Sequence, residues 1–259
     1  MKEIVLFLLL TTLLSSCSRF LIFHPDQEDY LDLAPIENEV QKTFIKSKSG
    51  NSLSVWKIIP KGEAIGTILH FHGNAQNNSA HIHSINWLVD RGYKVYMLDY
   101  SGYGSSEGSA TLNNFKLDTL SFVDYFSREV DNCIMYGQSL GGYGVAYVLS
   151  ERSNVKCSTI ILESSFDSFH KLVDDKASNS VVKFIGKVIL ESGTLEANYN
   201  RKKVIVLVNK KDHVIPFKTT MEMYGRISSK QKDVIISDTY AHSRISYQNK
   251  EVLIKKLKK

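Results

Sequence analysis

The chain has 259 residues, 43% of them hydrophobic, which is enough for one sizeable core, so a single domain is expected. Three cysteines exclude a disulfide-built miniprotein. A net charge of +5 without any aromatic-interleaved basic stripe argues against nucleic acid as a partner.

Residues 4–14 are almost wholly apolar, but a stretch of about 11 residues is too short for an ordinary membrane-spanning helix. With Lys2 before it and Leu14-Ser15-Ser16-Cys17 after it, the stretch suits a signal-peptide core. The tetrad resembles the lipobox of bacterial lipoprotein signal peptides. That resemblance implies that residues 1–16 are removed and that Cys17, lipidated, becomes the first residue and ties the protein to a membrane of the bacterial envelope. In enteric bacteria a residue other than aspartate after the cysteine usually directs such proteins to the outer membrane, and Ser18 fits that rule. An ordinary signal peptide cut nearby is the alternative. The basic end, Lys250 and Lys255-Lys256-Leu257-Lys258-Lys259, is expected to be a solvated helix terminus rather than a headgroup contact.

Residues 17–42 contain Pro25 and Pro35 and little periodicity, and are expected to form a tether and lead-in. Two strands, 43–48 and 52–59, should form a hairpin around Ser49-Gly50-Asn51. Apolar runs at 67–71, 94–98, 133–136, 158–162 and 203–208 then alternate with helix-compatible stretches at 80–91, 112–129, 140–151, 218–227 and 243–256. This alternation predicts an α/β domain over 43–259, with a mostly parallel sheet of about eight strands covered by helices on both faces. Residues 169–201 interrupt the rhythm. Within them Val181, Phe184, Ile185, Val188 and Ile189 share one helical face, which predicts a short cap over the strand ends, with a membrane-touching or partner-binding element as the alternative. Cys133 and Cys157 each open an apolar run, and either a disulfide or two buried thiols would suit them.

Met135-Tyr136-Gly137-Gln138-Ser139-Leu140-Gly141-Gly142 joins a strand to a helix through a G-x-S-x-G turn. Such a turn crowds the backbone two residues to either side of the serine, which is why glycine is required there, and it lifts the hydroxyl above the sheet edge. Ser139 is therefore the candidate nucleophile. A serine needs a base, and the base needs an orienting acid. Asp212 follows the strand at 203–208, and His242 follows the next strand, Val234-Ile235-Ile236. The order Ser139, Asp212, His242 puts all three at one edge of a parallel sheet.

With these residues in place, the chain resembles a bacterial α/β-hydrolase, nearest to the serine hydrolases of the dienelactone-hydrolase and prolyl-oligopeptidase-like branch. The matching motifs are His70-Phe71-His72-Gly73-Asn74, the run from Asp99 to Gly108, the elbow, Asp212-His213-Val214-Ile215-Pro216 and Ala241-His242. The resemblance implies that the backbone N–H groups of Asn74 and Leu140 form the oxyanion hole, that His242 is the base and that Asp212 fixes its tautomer. It implies no cofactor, and an acyl substrate cleaved as an ester first, with peptidase, thioesterase or a silent binding module as alternatives.

Asp238 also lies near His242, but its position favours it less than Asp212. Asp99 is expected to brace the Gly-rich loop, His213 to pack in its loop, and Glu163 and Ser164 to line the site or anchor the cap. His70-x-His72 and His81-x-His83 hint at metal, but Gly73-Asn74-Ala75 supplies neither the carboxylate nor the third histidine of a binuclear zinc run, so none is expected. If Cys17 carries the anchor, Cys17→Ser should move the protein from the membrane to the soluble fraction on fractionation; full retention would assign anchoring to another segment.

Overall fold

The computed structural model describes residues 22–33, 36–126, 130, 132–190, 192–238, 242 and 244–258. The signal segment, Cys17 and Ser18 lie outside them. Ten strands are described: β1 (His24–Pro25), β2 (Glu39–Lys46), β3 (Ser52–Ile59), β4 (Gly66–Phe71), β5 (Ala75–Gln76), β6 (Tyr93–Leu98), β7 (Ile134–Gln138), β8 (Thr159–Glu163), β9 (Lys203–Asn209) and β10 (Gln231–Ser237). The helices are α1 (Asn78–Val89), α2 (Leu112–Phe126), α3 (Leu140–Glu151), α4 (Phe169–Lys176), α5 (Ser180–Ile189), α6 (Phe217–Arg226), α7 (Ile245–Gln248) and α8 (Lys250–Lys258).

Eight strands form one sheet in the order β10-β9-β8-β7-β4-β6-β3-β2. It is parallel from β10 to β6, while β3 runs antiparallel to both β6 and β2. The central strands are apolar on both faces, and alternation sorts their side chains into two cores. Leu69, Phe71, Met135, Leu162 and Val206 meet α2 and α3 through Phe115, Phe122, Val145 and Val148. On the other face Ile68, Val95, Ile161, Ile205 and Leu207 meet α1, α7 and α8 through Ile82, Leu88, Ile245 and Leu253. This is the α/β-hydrolase fold. Because β4 and β6 to β10 run the same way in this sheet, their carboxyl ends share one edge, where β8 ends at Glu163 and the loops that leave it carry Asn74, Ser139 and Asp212.

Two elements depart from the expectations. β2 starts at Glu39, four residues before the strand predicted from position 43, because pairing along its whole length with β3 carries it through residues that are mostly exposed on an edge strand. The predicted last helix breaks in two at Asn249, whose side-chain amide donates to the Ile245 carbonyl (2.9 Å) and competes with the helical pattern.

Between β8 and β9 the chain leaves the sheet and builds α4 and α5. The Leu195 N–H donates to the Asp167 carbonyl (2.9 Å), closing the base of this excursion. Of the apolar face expected for α5, Phe184 is the residue whose side chain is described, and it is exposed (69%). The side chains of Val181, Ile185, Val188 and Ile189 lie outside the described ones. No helix among the described residues is long and apolar enough to cross a membrane.

Cys133 and Cys157, both buried just ahead of β7 and β8, are joined by a disulfide across 24 residues. Closing a loop of that length stabilises a fold by about 3 kcal/mol in the chain-entropy account. Cys133→Ser paired with Cys157→Ser is therefore expected to lower the chemical unfolding free energy by about that amount, and an unchanged denaturation midpoint would remove the disulfide from the stability of the sheet.

Candidate active site

Ser139 stands between β7 and α3 with φ 53° and ψ −118°. A non-glycine residue held there stores about 1–3 kcal/mol. Three bonds fix it: its N–H donates to the Glu163 carbonyl (2.8 Å), and its carbonyl accepts from the Gly142 N–H (3.0 Å) and the Ser165 hydroxyl (2.8 Å). The flanking glycines are required by space. A β-carbon at Gly137 would sit 2.5 Å from the Gly142 Cα, and one at Gly141 would sit 2.0 Å from the Phe71 carbonyl oxygen. Burial of Val145 and Val148 from α3, at about 1.5–3 kcal/mol each, outweighs the strain at the serine.

Asp212 lies three residues past β9. Its Oδ1 accepts the N–H groups of Val214 (2.8 Å) and Ile215 (2.9 Å). The Nδ1 of His242 lies 3.0 Å from Oδ1 and 2.8 Å from Oδ2. Burial pushes the Asp212 carboxyl up, but the His242 hydrogen bond, the His242 charge and the Ile215 N–H together hold it below the ordinary carboxylate range. A carboxylate at Nδ1 places the ring proton there and leaves Nε2 with its lone pair. Among the described residues no hydrogen bond joins Ser139 to His242, a contact that in unliganded enzymes is often long and tightens with substrate. Asp238 is turned outward and paired with Lys211 (3.3 Å). His213 is exposed.

Asn74 and Leu140 border the same cavity as Ser139. The loop between β4 and β5 comes so close that a β-carbon on Gly73 would be 3.6 Å from that of Ser139. Asn74 is fixed by its own side chain, which donates to the Ile22 carbonyl (2.9 Å), and by its carbonyl, which accepts the His24 N–H (2.8 Å) and the Tyr103 hydroxyl (2.7 Å). Leu140 offers the first amide of α3, where helix N–H groups lack intrahelical partners. Tyr100 and Tyr103 lie within the run from Asp99 to Gly108, and nothing in the sequence marks a role for them. Tyr100 donates to the His72 carbonyl (2.9 Å), so the two tyrosines clamp the loop from about 30 residues away, a distance at which sequence carries no signal.

The histidines serve this loop. His72 donates from Nδ1 to the Gly73 carbonyl (2.7 Å) and stacks on His81, which donates to the Ala75 carbonyl (2.9 Å). Burial holds His72 neutral and pushes His70 down to about 3. His70 Nδ1 and His72 Nε2 have no hydrogen-bond partner among the described residues. No group of three or more His, Cys, Asp or Glu side chains among the described residues is placed to hold a metal ion. Asp99 accepts the Asn78 N–H at the start of α1 (2.7 Å) and lies under Gly104, where a β-carbon would be 2.6 Å from its Oδ2. Glu163 neither lines the cavity nor touches the cap. Alternation along β8 turns it to the opposite face with Ile161, where it is wholly buried.

The cavity beside Ser139 holds about 530 Å³ between the strand ends and the helices α4 and α5. Phe166, Phe169, Leu172, Val173, Leu190 and Ile215 are among the apolar residues of its wall. Among its described lining residues none is acidic, and the one charged side chain among them, Lys176, donates to the Val214 carbonyl (3.1 Å).

Residues 62–202 match the Hydrolase_4 family, described as serine aminopeptidase, S33. The uncharacterized protein YfhR of Escherichia coli (strain K12) is 28% identical over 227 residues, covering 83% of this chain and 77% of that protein. An esterase of Pyrococcus furiosus superposes with a TM-score of 0.71 at 17% identity, covering 92% of this chain and 97% of its own. An esterase from Exiguobacterium antarcticum does so with a TM-score of 0.65 at 18% identity, covering 85% and 100%.

Burial raises the Asp99 carboxyl to about 7, against about 3.9 in an unfolded chain. Between those values the native state holds a proton that the unfolded state has lost, so this group lowers stability as pH rises across the window. Asp99→Asn is accordingly expected to melt above the parent at pH 8 and to approach it towards pH 4; a melting difference independent of pH would contradict this.

Proposed function

The chain belongs to the Hydrolase_4 family of α/β hydrolases, and from that premise we propose that it is a serine esterase acting through Ser139, His242 and Asp212. His242 takes the Ser139 proton at Nε2 as Oγ attacks the ester carbonyl. The charge that forms on the carbonyl oxygen is met by the N–H groups of Asn74 and Leu140, and one such donor is worth about 3 kcal/mol of barrier. Asp212 stabilises the imidazolium, which hands its proton to the departing alcohol. Water, deprotonated by the same histidine, then releases the acid and restores the serine.

The observation that carries the ester reading is the cavity. An aminopeptidase must compensate the ammonium of its substrate, whereas the described residues of the wall beside Ser139 are mostly apolar, with no acidic side chain among them and one cation, Lys176. An apolar acyl group suits such a wall, and the two esterases of like fold support the choice. An envelope location, with Cys17 as lipid anchor, is part of the same proposal. It is supported by the Leu14-Ser15-Ser16-Cys17 tetrad and by the Cys133–Cys157 disulfide, since such bonds persist in oxidising compartments.

Ser139→Ala should stay folded, lose fluorophosphonate labelling and hydrolyse p-nitrophenyl esters slower by roughly 10⁴-fold or more. Parental turnover in that variant would refute the nucleophile, and an unlabelled parent with the fold intact would favour a binding module.

A further inference from the structure

Glu163 is the last residue of β8, and it touches both halves of the proposed machinery without bordering the cavity. Its main-chain carbonyl receives the Ser139 N–H (2.8 Å). Its side chain, wholly buried on the opposite face of the sheet, accepts the Ile245 N–H at Oε1 (2.7 Å) and the Tyr136 hydroxyl at Oε2. Ile245 opens α7 only three residues after His242. Between them Arg244 has φ 68° and ψ 20°, a left-handed conformation that a side chain rarely adopts. Such a turn persists only where neighbouring structure over-determines it. The bond from Ile245 to Glu163 is placed to do so, because it fastens the residue after Arg244 to the strand that also holds Ser139.

The chemistry of the site fits a role of this kind. A carboxylate among Ile161, Ile205, Leu207 and Ile245 is costly to bury and is kept only when its donors are supplied. Burial pushes the group up, and Tyr136, the Ile245 N–H, Ser246 and the charge of His242 draw it back without returning it to the ordinary range. A glutamine or an aliphatic side chain would avoid that cost, but an aliphatic one would leave Ile245 without an acceptor.

We propose that Glu163 is a positioning residue that holds the histidine-bearing segment in register with the nucleophile elbow. Through its carbonyl it fixes the serine, and through its carboxylate it fixes the turn that sets His242 against Asp212 and Ser139. The inference rests on the reading of Ser139 and His242 as nucleophile and base.

The test compares Ser139→Ala, Glu163→Gln and Glu163→Asp in the purified full chain, with p-nitrophenyl butyrate as substrate and a thermal melt for each protein. Glutamine keeps an acceptor at the same reach, and kcat should stay within about threefold of the parent. Aspartate keeps the charge but withdraws it by one methylene, and displacements of that order lower rates by about tenfold to a hundredfold. The expected result for Glu163→Asp is a fall of that size in kcat at unchanged KM, in a protein that still melts cooperatively. Parental kcat in Glu163→Asp, or equal losses in both Glu163 variants, would overturn the positioning role. A rise in KM matching the fall in kcat would do the same. Turnover that survives Ser139→Ala would instead overturn the reading beneath it.

Discussion

Everything in this protein's site depends on how closely α3 approaches the strands it follows. The Phe71 carbonyl lies where a β-carbon of residue 141 would be, so the helix can begin directly against β4 only because residue 141 has no side chain. That contact forces the sharp turn, and the turn puts Ser139 in a backbone state that serine avoids. The fold supports the strain in two ways. The apolar residues of α3 bury against the sheet, and three hydrogen bonds, two to residues at or just past the end of β8 and one to the first turn of α3, hold the serine's own peptide groups.

A second layer of polar groups surrounds that turn, and most of it is buried. Asp99, Glu163 and Asp212 all sit at the carboxyl edge of the sheet, yet their surroundings treat them differently. Asp212 meets a histidine and two peptide N–H groups, and stays ionised below the ordinary range. Asp99 and Glu163 are more deeply buried and are raised despite their donors. Three carboxyl groups on one edge thus have different proton affinities because burial and the partners that offset it differ at each.

The sequence shows the large apolar patterns and the tight turns, because those are written in neighbouring residues. The bounds of β3 and α3 match their apolar spans, and the elbow was readable from Gly137 and Gly141, whose absent side chains have a steric meaning. Tertiary pairing is what escaped. The first residues of β2 look like a tether because one face of an edge strand is solvated, and Asn249 breaks a helix that apolar spacing alone would continue. The expectation that Glu163 lines the site or anchors the cap fails because strand alternation fixes its face only once β8 is known to extend to that residue. Tyr100 and Tyr103 act through hydroxyl groups on distant carbonyls, and no local pattern marks such a partner.

The excursion between β8 and β9 has a consequence for how such a protein can change. Two neighbouring parallel strands require a crossover of a dozen or more residues, and residues 164–202 exceed that by enough to form α4 and α5. Asp167 and Leu195 pinch the base of the excess, so the module can be lengthened, shortened or exchanged while the sheet keeps its register. Selectivity in this architecture is therefore free to drift faster than chemistry, and a graft at that pinch is the natural unit for redesign.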